Sequence, residues 1–335
     1  MNIYGMTQSA LKRYFEEIGE NPFKAGLVYD GIFKRGIGAF SEFGFADRIT
    51  KQLERDFEFE LPEVAELLDS GDAAKLLLRL KDGEYAETVL MRQKFGNVLC
   101  VSTQVGCNMG CAFCQSGRLK KRRDLSAGEI VGQVMAVKQK TGSAVGGVSV
   151  MGIGEPFDNF GAVKDFCGIV SADKGLAVGR RHITVSTCGI VPKIYEYAAL
   201  PSSYNLAISL HAPNDDLRSR IMPINKAYPL TAVLAAAEHF SEKTGRRVTL
   251  EYVMLGGVND RPEHAEQLAD LIGSRRFYVN LIPYNPTDNC FEKSTPFDIA
   301  VFYDILKRNG VVVTRRREFG ADVKAACGQL RADYL

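Results

Sequence analysis

No run in the sequence approaches the roughly 20 apolar residues that a membrane span needs. The first segment, MNIYGMTQSALKRYFEE, is too polar for a secretory signal. These absences predict a cytoplasmic protein with no membrane partner, and a monomer is expected. Cysteine is sparse: eight in 335 residues are too few for a disulfide scaffold, and in a reducing compartment clustered cysteines more often bind metal or do chemistry. Internal repeats and low-complexity tracts are lacking, and the net charge of +2 neither demands nor excludes a nucleic-acid partner. With 46% hydrophobic and 24% charged residues the chain suits one large domain with an appendage, or two ordinary domains.

What charge there is comes in bunches. Basic residues group at Lys120, Lys121, Arg122 and Arg123, at Arg180 and Arg181, and at Arg315, Arg316 and Arg317. If they converge they form a phosphate-contacting surface; otherwise each is an ordinary solvated face.

Residues 1 to about 90 read as a helical segment followed by short strands, with Leu11, Tyr14, Phe15 and Ile18 at helical spacing. From Val98 onward, β-branched runs alternate with helical stretches, the pattern of a parallel α/β architecture. Runs begin near Val98, Val148, Ile183, Asn205, Val248 and Phe277, and another near Val311. Ser126 followed three residues later by Glu129 predicts a capping box before an apolar helix. Six strand–helix units are too few for a closed eight-stranded barrel, which leaves an open partial barrel or a doubly wound sheet. In either, ligands sit at strand C-terminal ends, and here those ends carry Glu155, Ser186, His211 and Asn285.

The sharpest motif is Cys107, Cys111 and Cys114, spaced C-x3-C-x2-C directly after a predicted strand. Structural zinc sites usually complete four ligands with paired cysteines or histidines, and no second pair or nearby histidine follows. A 4Fe-4S cluster on three thiolates leaves one iron open. S-adenosylmethionine radical chemistry uses such an iron, chelated by the amino and carboxylate groups of the cofactor. In Gly152, Ile153, Gly154, Glu155 and Pro156, paired glycines would let a ligand approach the backbone and the carboxylate would accept from an ammonium, although a tight turn with an exposed glutamate explains the same letters. His211 suits either a core histidine or a cleft-lining one; its place at a strand end, on the same side as Ser209, favours the cleft. Buried free cysteine is the default reading for Cys167, Cys188 and Cys290.

These residues together resemble the RlmN/Cfr family of radical S-adenosylmethionine RNA methyltransferases, from about residue 8 to the C-terminus. The likeness rests on the strand ending in Cys100, the cysteine triad, GIGEP at 152–156, ISLHAPN at 208–214, MPIN at 222–225 and AACGQL at 325–330. It implies a partial (βα)6 barrel over residues 91–335, preceded by a small N-terminal helical accessory domain, residues 1–90, that recruits RNA. It also implies that Cys107, Cys111 and Cys114 ligate the cluster, and that Gly154, Glu155, Ser186, Ser209, Leu210, His211 and Asn285 surround S-adenosylmethionine. Two S-adenosylmethionine molecules serve each turnover, one as methyl donor to Cys327 and one as radical source. Cys327 then carries the one-carbon unit to the adenine ring, Cys100 releases the product through a transient disulfide with Cys327, and Glu87 is the general acid/base. The expected substrate is an adenosine of 23S rRNA, with tRNA as a second candidate, methylated at C2; a base must leave its stack to reach such a site. An electron-donating flavodoxin or ferredoxin system is implied. The residues leave three alternatives: a C8-methylating, resistance-conferring enzyme, a radical enzyme acting on a small molecule or protein, and a zinc-binding, non-catalytic RNA-recognition protein using Cys100 as fourth ligand.

Overall fold

The computed structural model describes residues 1–286 and 291–316. Three helices open the chain, α1 (Gln8–Glu17), α2 (Lys24–Tyr29) and α3 (Asp47–Asp56). Thr7 caps α1 by accepting from the Ala10 amide, and the helical spacing read from the sequence buries Leu11 and Phe15 completely. An antiparallel meander follows, β1 (Glu63–Asp69), β2 (Ala73–Arg79) and β3 (Tyr85–Met91). Strand β3 pairs antiparallel with β4 (Val98–Cys100), so the sheet runs unbroken across residue 90.

After β4 a small hairpin of β5 (Gln104–Val105) and β6 (Arg123–Asp124) brackets the cysteine loop. Then come α4 (Ala127–Thr141), β7 (Gly147–Val150), α5 (Phe160–Ser171) and β8 (Ile183–Thr187). Helix α6 (Val191–Ala198), β9 (Asn205–Ser209), α7 (Asp215–Ile221), α8 (Leu230–Thr244) and β10 (Val248–Gly256) continue the alternation. The described part ends with α9 (Pro262–Ile272), β11 (Phe277–Pro283), β12 (Glu292–Lys293), α10 (Pro296–Arg308) and β13 (Val312–Arg315). The predicted capping box is present: the Ser126 hydroxyl accepts from the Glu129 amide, and Glu129 accepts from the Ser126 amide.

Strand order separates the two architectures that the sequence leaves open. The parallel strands lie in chain order, β4-β7-β8-β9-β10-β11-β13. A doubly wound sheet reverses its order at a switch point, whereas strands added always on the same side curl into a barrel wall. This is the partial (βα)6 barrel. Side chains alternate along each strand: on β10, Leu250, Tyr252 and Met254 are fully buried towards the helices, while Thr249, Glu251 and Val253 line the lumen. One hydrophobic core is continuous from Ile3 and Phe15 to Phe302 and Val313. The N-terminal turn Ile3–Gly5 lies on the first turn of α4, where a Cβ on Gly5 would stand 2.9 Å from the Gly128 nitrogen.

Candidate active site

The cysteine loop leaves the barrel at the C-terminal end of β4 and lies across the mouth. Its path depends on close backbone crossings. Gly106 has φ +78°, and a Cβ there would stand 2.4 Å from the Lys120 carbonyl oxygen; one on Gly117 would stand 2.9 Å from the Cys111 carbonyl oxygen. The loop is fixed from below, where the Ala112 amide donates to the Ile221 carbonyl at 2.9 Å and Phe113 packs edge-on against the His211 ring at 4.8 Å. Cys107, Cys111 and Cys114 thereby line one cavity with Gly154, Glu155, Ser186, Ser209, His211 and Asn285. Leu210 is fully buried beneath and contributes its backbone: its amide donates to the Glu251 carbonyl.

The electrostatics of the cavity suit a cationic guest. Burial, and then the neighbouring Cys114, push the Cys107 thiol up to about 12; Cys111 is raised by burial and by both other cysteines. Deprotonating such thiols needs strong local positive charge, which bound iron supplies. Among the described residues no three Cys, His, Asp or Glu side chains converge closely enough to hold a single metal ion. Cys100, the fourth ligand of the zinc reading, is buried on the barrel wall and packs with Val89, Met91 and Ile153.

Glu155 is 4% exposed and accepts from the Phe157 amide at 2.9 Å and the Cys188 amide at 2.8 Å, while burial pushes its carboxyl upward. Among the described residues no cationic side chain pairs with it, so an ammonium of a ligand would complete its environment. The residues present therefore fit both a 4Fe-4S cluster and an amino-acid-bearing cofactor.

His211 sits at φ +59°, a backbone region rare for a residue with a side chain. Its Nδ1 accepts from the Val253 amide at 3.0 Å and Asn259 Nδ2 donates to its carbonyl at 2.8 Å. Burial, and then the Arg218 charge, push its pKa down to about 3. The ring is therefore neutral near pH 7, with its proton on Nε2.

The glycines of the GIGE turn line the cavity and have a further reason in the backbone beneath them. A Cβ on Gly152 would stand 2.6 Å from the Val101 carbonyl oxygen, and one on Gly154, at φ +109°, 2.7 Å from the Gln104 Cβ. The turn must lie directly on the chain leaving β4, which puts Glu155 beside the cysteine loop. Gly154→Ala is expected to destabilise the fold by about 1–3 kcal/mol and to weaken cofactor binding with it. Chemical denaturation and cofactor titration of the variant measure both; wild-type values would show the turn to be tolerant.

Glu87 is 2% exposed on β3, its Oε1 3.2 Å from Lys75 Nζ. The Ser102 hydroxyl donates to the Glu87 carbonyl and the Thr88 hydroxyl to the Cys100 carbonyl, each at 2.6 Å, binding this strand to β4. Cys327, Cys290 and Arg317 lie outside the described residues. Cys167 and Cys188 are buried free thiols, and Cys188 lines the cavity.

Two residues escaped the sequence reading. Arg218 is fully buried, donating to the carbonyls of Leu210, Cys188 and Ser209 and to Asn225 Oδ1 at 2.7–3.1 Å. Glu251 accepts from Asn280 Nδ2 at 2.8 Å inside the lumen, where Arg316 lies close enough to influence its charge. The available signal was a glutamate interrupting the apolar strand VTLEYVML.

The first two basic runs do not converge, and Arg316 of the third lines the cavity with the cysteines. In the first, Lys121 pairs with Asp124 and Asp158, Arg122 with Glu84, and Arg123 with Asp82 and Glu129, all at 2.6–2.8 Å. Arg180 and Arg181 precede β8, at the opposite end of the barrel, and ring a depression with Arg246. Among the described residues these three have no carboxylate partner, and burial, then the Arg181 charge, hold Arg246 below its usual range. No described helix is long and apolar enough to cross a membrane.

The sequence pattern of the "Radical SAM superfamily" matches residues 101–272, and that of the "Ribosomal RNA large subunit methyltransferase N-terminal domain" matches residues 1–56. A protein of Enterococcus faecalis named "Probable dual-specificity RNA methyltransferase RlmN" is 48% identical, over 100% of this chain and 97% of that relative. One of the same name from Shouchella clausii is 49% identical, over 99% of this chain and 96% of its own length. The crystal structure of a radical SAM methyltransferase from Sphaerobacter thermophilus shares 37% identity at a TM-score of 0.93, covering 99% of this chain and 100% of that one.

Proposed function

The chain belongs to the RlmN family of radical SAM methyltransferases, and from that premise we propose that it methylates C2 of an adenosine in 23S rRNA, and in tRNA as a second substrate. The observation that carries this reading is the shared cavity of the three cysteine thiols and the buried Glu155, which has no cationic partner among the described residues. Members of this superfamily hold a 4Fe-4S cluster and S-adenosylmethionine, which supply the methyl group and the radical that makes an unreactive ring carbon substitutable.

The chain's own residues do the rest. Cys107, Cys111 and Cys114 hold the cluster. Glu155 takes the cofactor ammonium, and Ser186, Ser209, His211 and Asn285 line the rest of the pocket, with His211 offering Nε2–H as a donor whose state does not change near neutral pH. Cys327 carries the methyl carbon and becomes bonded to the RNA base through it. Glu87 accepts the ring proton, and the Cys100 thiol attacks the Cys327 sulfur to free the methylated base. Residues 1–90 act as the RNA-recruiting part, their last strand also lending Glu87 to the site, and residues 91–335 carry the rest of the catalysis, in a cytoplasmic monomer fed by a flavodoxin or ferredoxin.

Intact-mass and peptide analysis of the protein after incubation with S-adenosylmethionine tests the carrier. One methyl group on the peptide containing Cys327 is expected, and methylation that survives in Cys327→Ala would overturn the assignment. RNA phosphate contact is assigned to Arg180, Arg181 and Arg246 ahead of residues 120–123, whose ion pairs neutralise most of that run. Arg180→Glu with Arg181→Glu should lower the salt slope of RNA binding by about 1–2, and an unchanged slope would remove this face from the interface.

A further inference from the structure

We propose that Lys75 is a positioning residue for the reaction: its ammonium keeps Glu87 as the carboxylate that accepts the proton of the substituted ring carbon. The inference rests on the role given to Glu87 above. In that step the ring C–H bond breaks, its electron pair stays in the ring, and an O–H bond forms on Glu87.

The geometry comes from three neighbouring strands. Lys75 of β2 stands opposite Val89 of β3, and Val89 opposite Cys100 of β4, so the three share one row and one face of the sheet. Glu87 lies two residues before Val89 on that same face, and Lys75 reaches diagonally to it at 3.2 Å. The surroundings are apolar: Ala73, Val89, Met91 and Ile153 pack together with Cys100. Burial there favours a neutral carboxylic acid, which cannot take a proton; a cation at contact distance favours the charged form. The same apolar shell weakens solvent screening of the Lys75 charge, 12% exposed, at Glu87.

Stability alone gives little reason for this pair. A buried ion pair is often no better for a fold than well-packed apolar residues of equal volume, and it leaves an expensive orphan when one partner is lost. Placed one register step from the thiol proposed to end the reaction, the pair has a chemical use. Among the described residues, Lys75 on β2 and Cys100 on β4 share the face of the sheet that carries Glu87; Glu251 and Arg316 lie on the lumen that Met91 also lines.

The test compares cluster-loaded wild type, E87Q, K75M, K75Q and K75R with RNA, S-adenosylmethionine and reductant. The readout is the covalent protein–RNA species on a denaturing gel as a function of pH. Slow proton removal delays release, so E87Q, K75M and K75Q should each accumulate that species by about tenfold or more, while K75R stays at the wild-type level. In K75M and K75Q the acid limb of product formation should also move upward by about one pH unit. K75M and K75Q are both used so that misfolding of one leaves the other, with melting temperature and retained S-adenosylmethionine cleavage as folding controls. Wild-type adduct and pH profile in both, beside accumulation in E87Q, would overturn the proposal for Lys75. Normal release by E87Q would instead overturn the role of Glu87 itself, and the proposal with it.

Discussion

Cys111→Ala is expected to give a folded, colourless protein without measurable cofactor cleavage. The side chain lies on a loop whose position is set by backbone contacts: Ala112 to Ile221, Cys107 to Leu119, and the crossing at Gly117. Removing one thiol leaves these intact, so circular dichroism and melting should change little. Two thiolates cannot hold a cubane that must also keep one iron open, and ligands acting as a unit fail together. Cleavage of S-adenosylmethionine should therefore drop by on the order of 10³-fold or more, with iron content and brown absorbance lost in step. A variant that keeps iron and cleavage would overturn the ligand assignment. Stoichiometric zinc in the wild type after anaerobic purification would return the zinc-binding alternative.

The second large effect is expected from a residue outside the motifs. Arg218 is fully buried and ties together the C-terminal ends of β8 and β9, through the carbonyls of Cys188, Ser209 and Leu210, and reaches Asn225 beyond α7. Three carbonyls, two of them buried and one partly so, would lose the guanidinium donor in Arg218→Met. Each unsatisfied group costs roughly 1–3 kcal/mol, so the variant should lose about 3–5 kcal/mol, with partial relaxation limiting the sum. Arg218→Lys should recover little, because one ammonium cannot span carbonyls on two strands and a side chain on a third segment. Since Ser209 and His211 flank the carbonyls that Arg218 holds, cofactor affinity should fall with stability. Denaturant unfolding and cofactor titration on the same preparations measure both. A loss under about 1 kcal/mol would show that water replaces the guanidinium.

The legible and illegible parts of the site divide along a physical line. Local features survive in the letters: the strand runs starting near Val98, Val148, Ile183, Asn205, Val248 and Phe277, the Ser126 and Glu129 capping box, and a cysteine triad placed directly after a strand. Each depends on residues within a few positions of one another. What stayed hidden depends on partners far along the chain. Arg122 and Arg123 look like phosphate ligands until the β2–β3 hairpin brings Glu84 and Asp82 to them. Arg218 looks like a surface residue of a short polar helix until α7 is folded over the strand ends. The steric need for glycine at 152 and 154 shows only when the chain after β4 lies beneath them. Strand order, not strand content, separated the barrel from the doubly wound sheet, and order is a property of the whole topology.

The central claim is that this cavity methylates an adenine carbon through Cys327, and mass mapping of the target adenosine tests it most directly. 23S rRNA is incubated with reductant, S-adenosylmethionine and either wild-type protein or Cys327→Ala, each loaded with its cluster. The account predicts a C2-methylated adenosine with the wild type and none with the variant. Methylation at C8, methylation that persists without Cys327, or an unmodified RNA from an enzyme that still cleaves S-adenosylmethionine would contradict it.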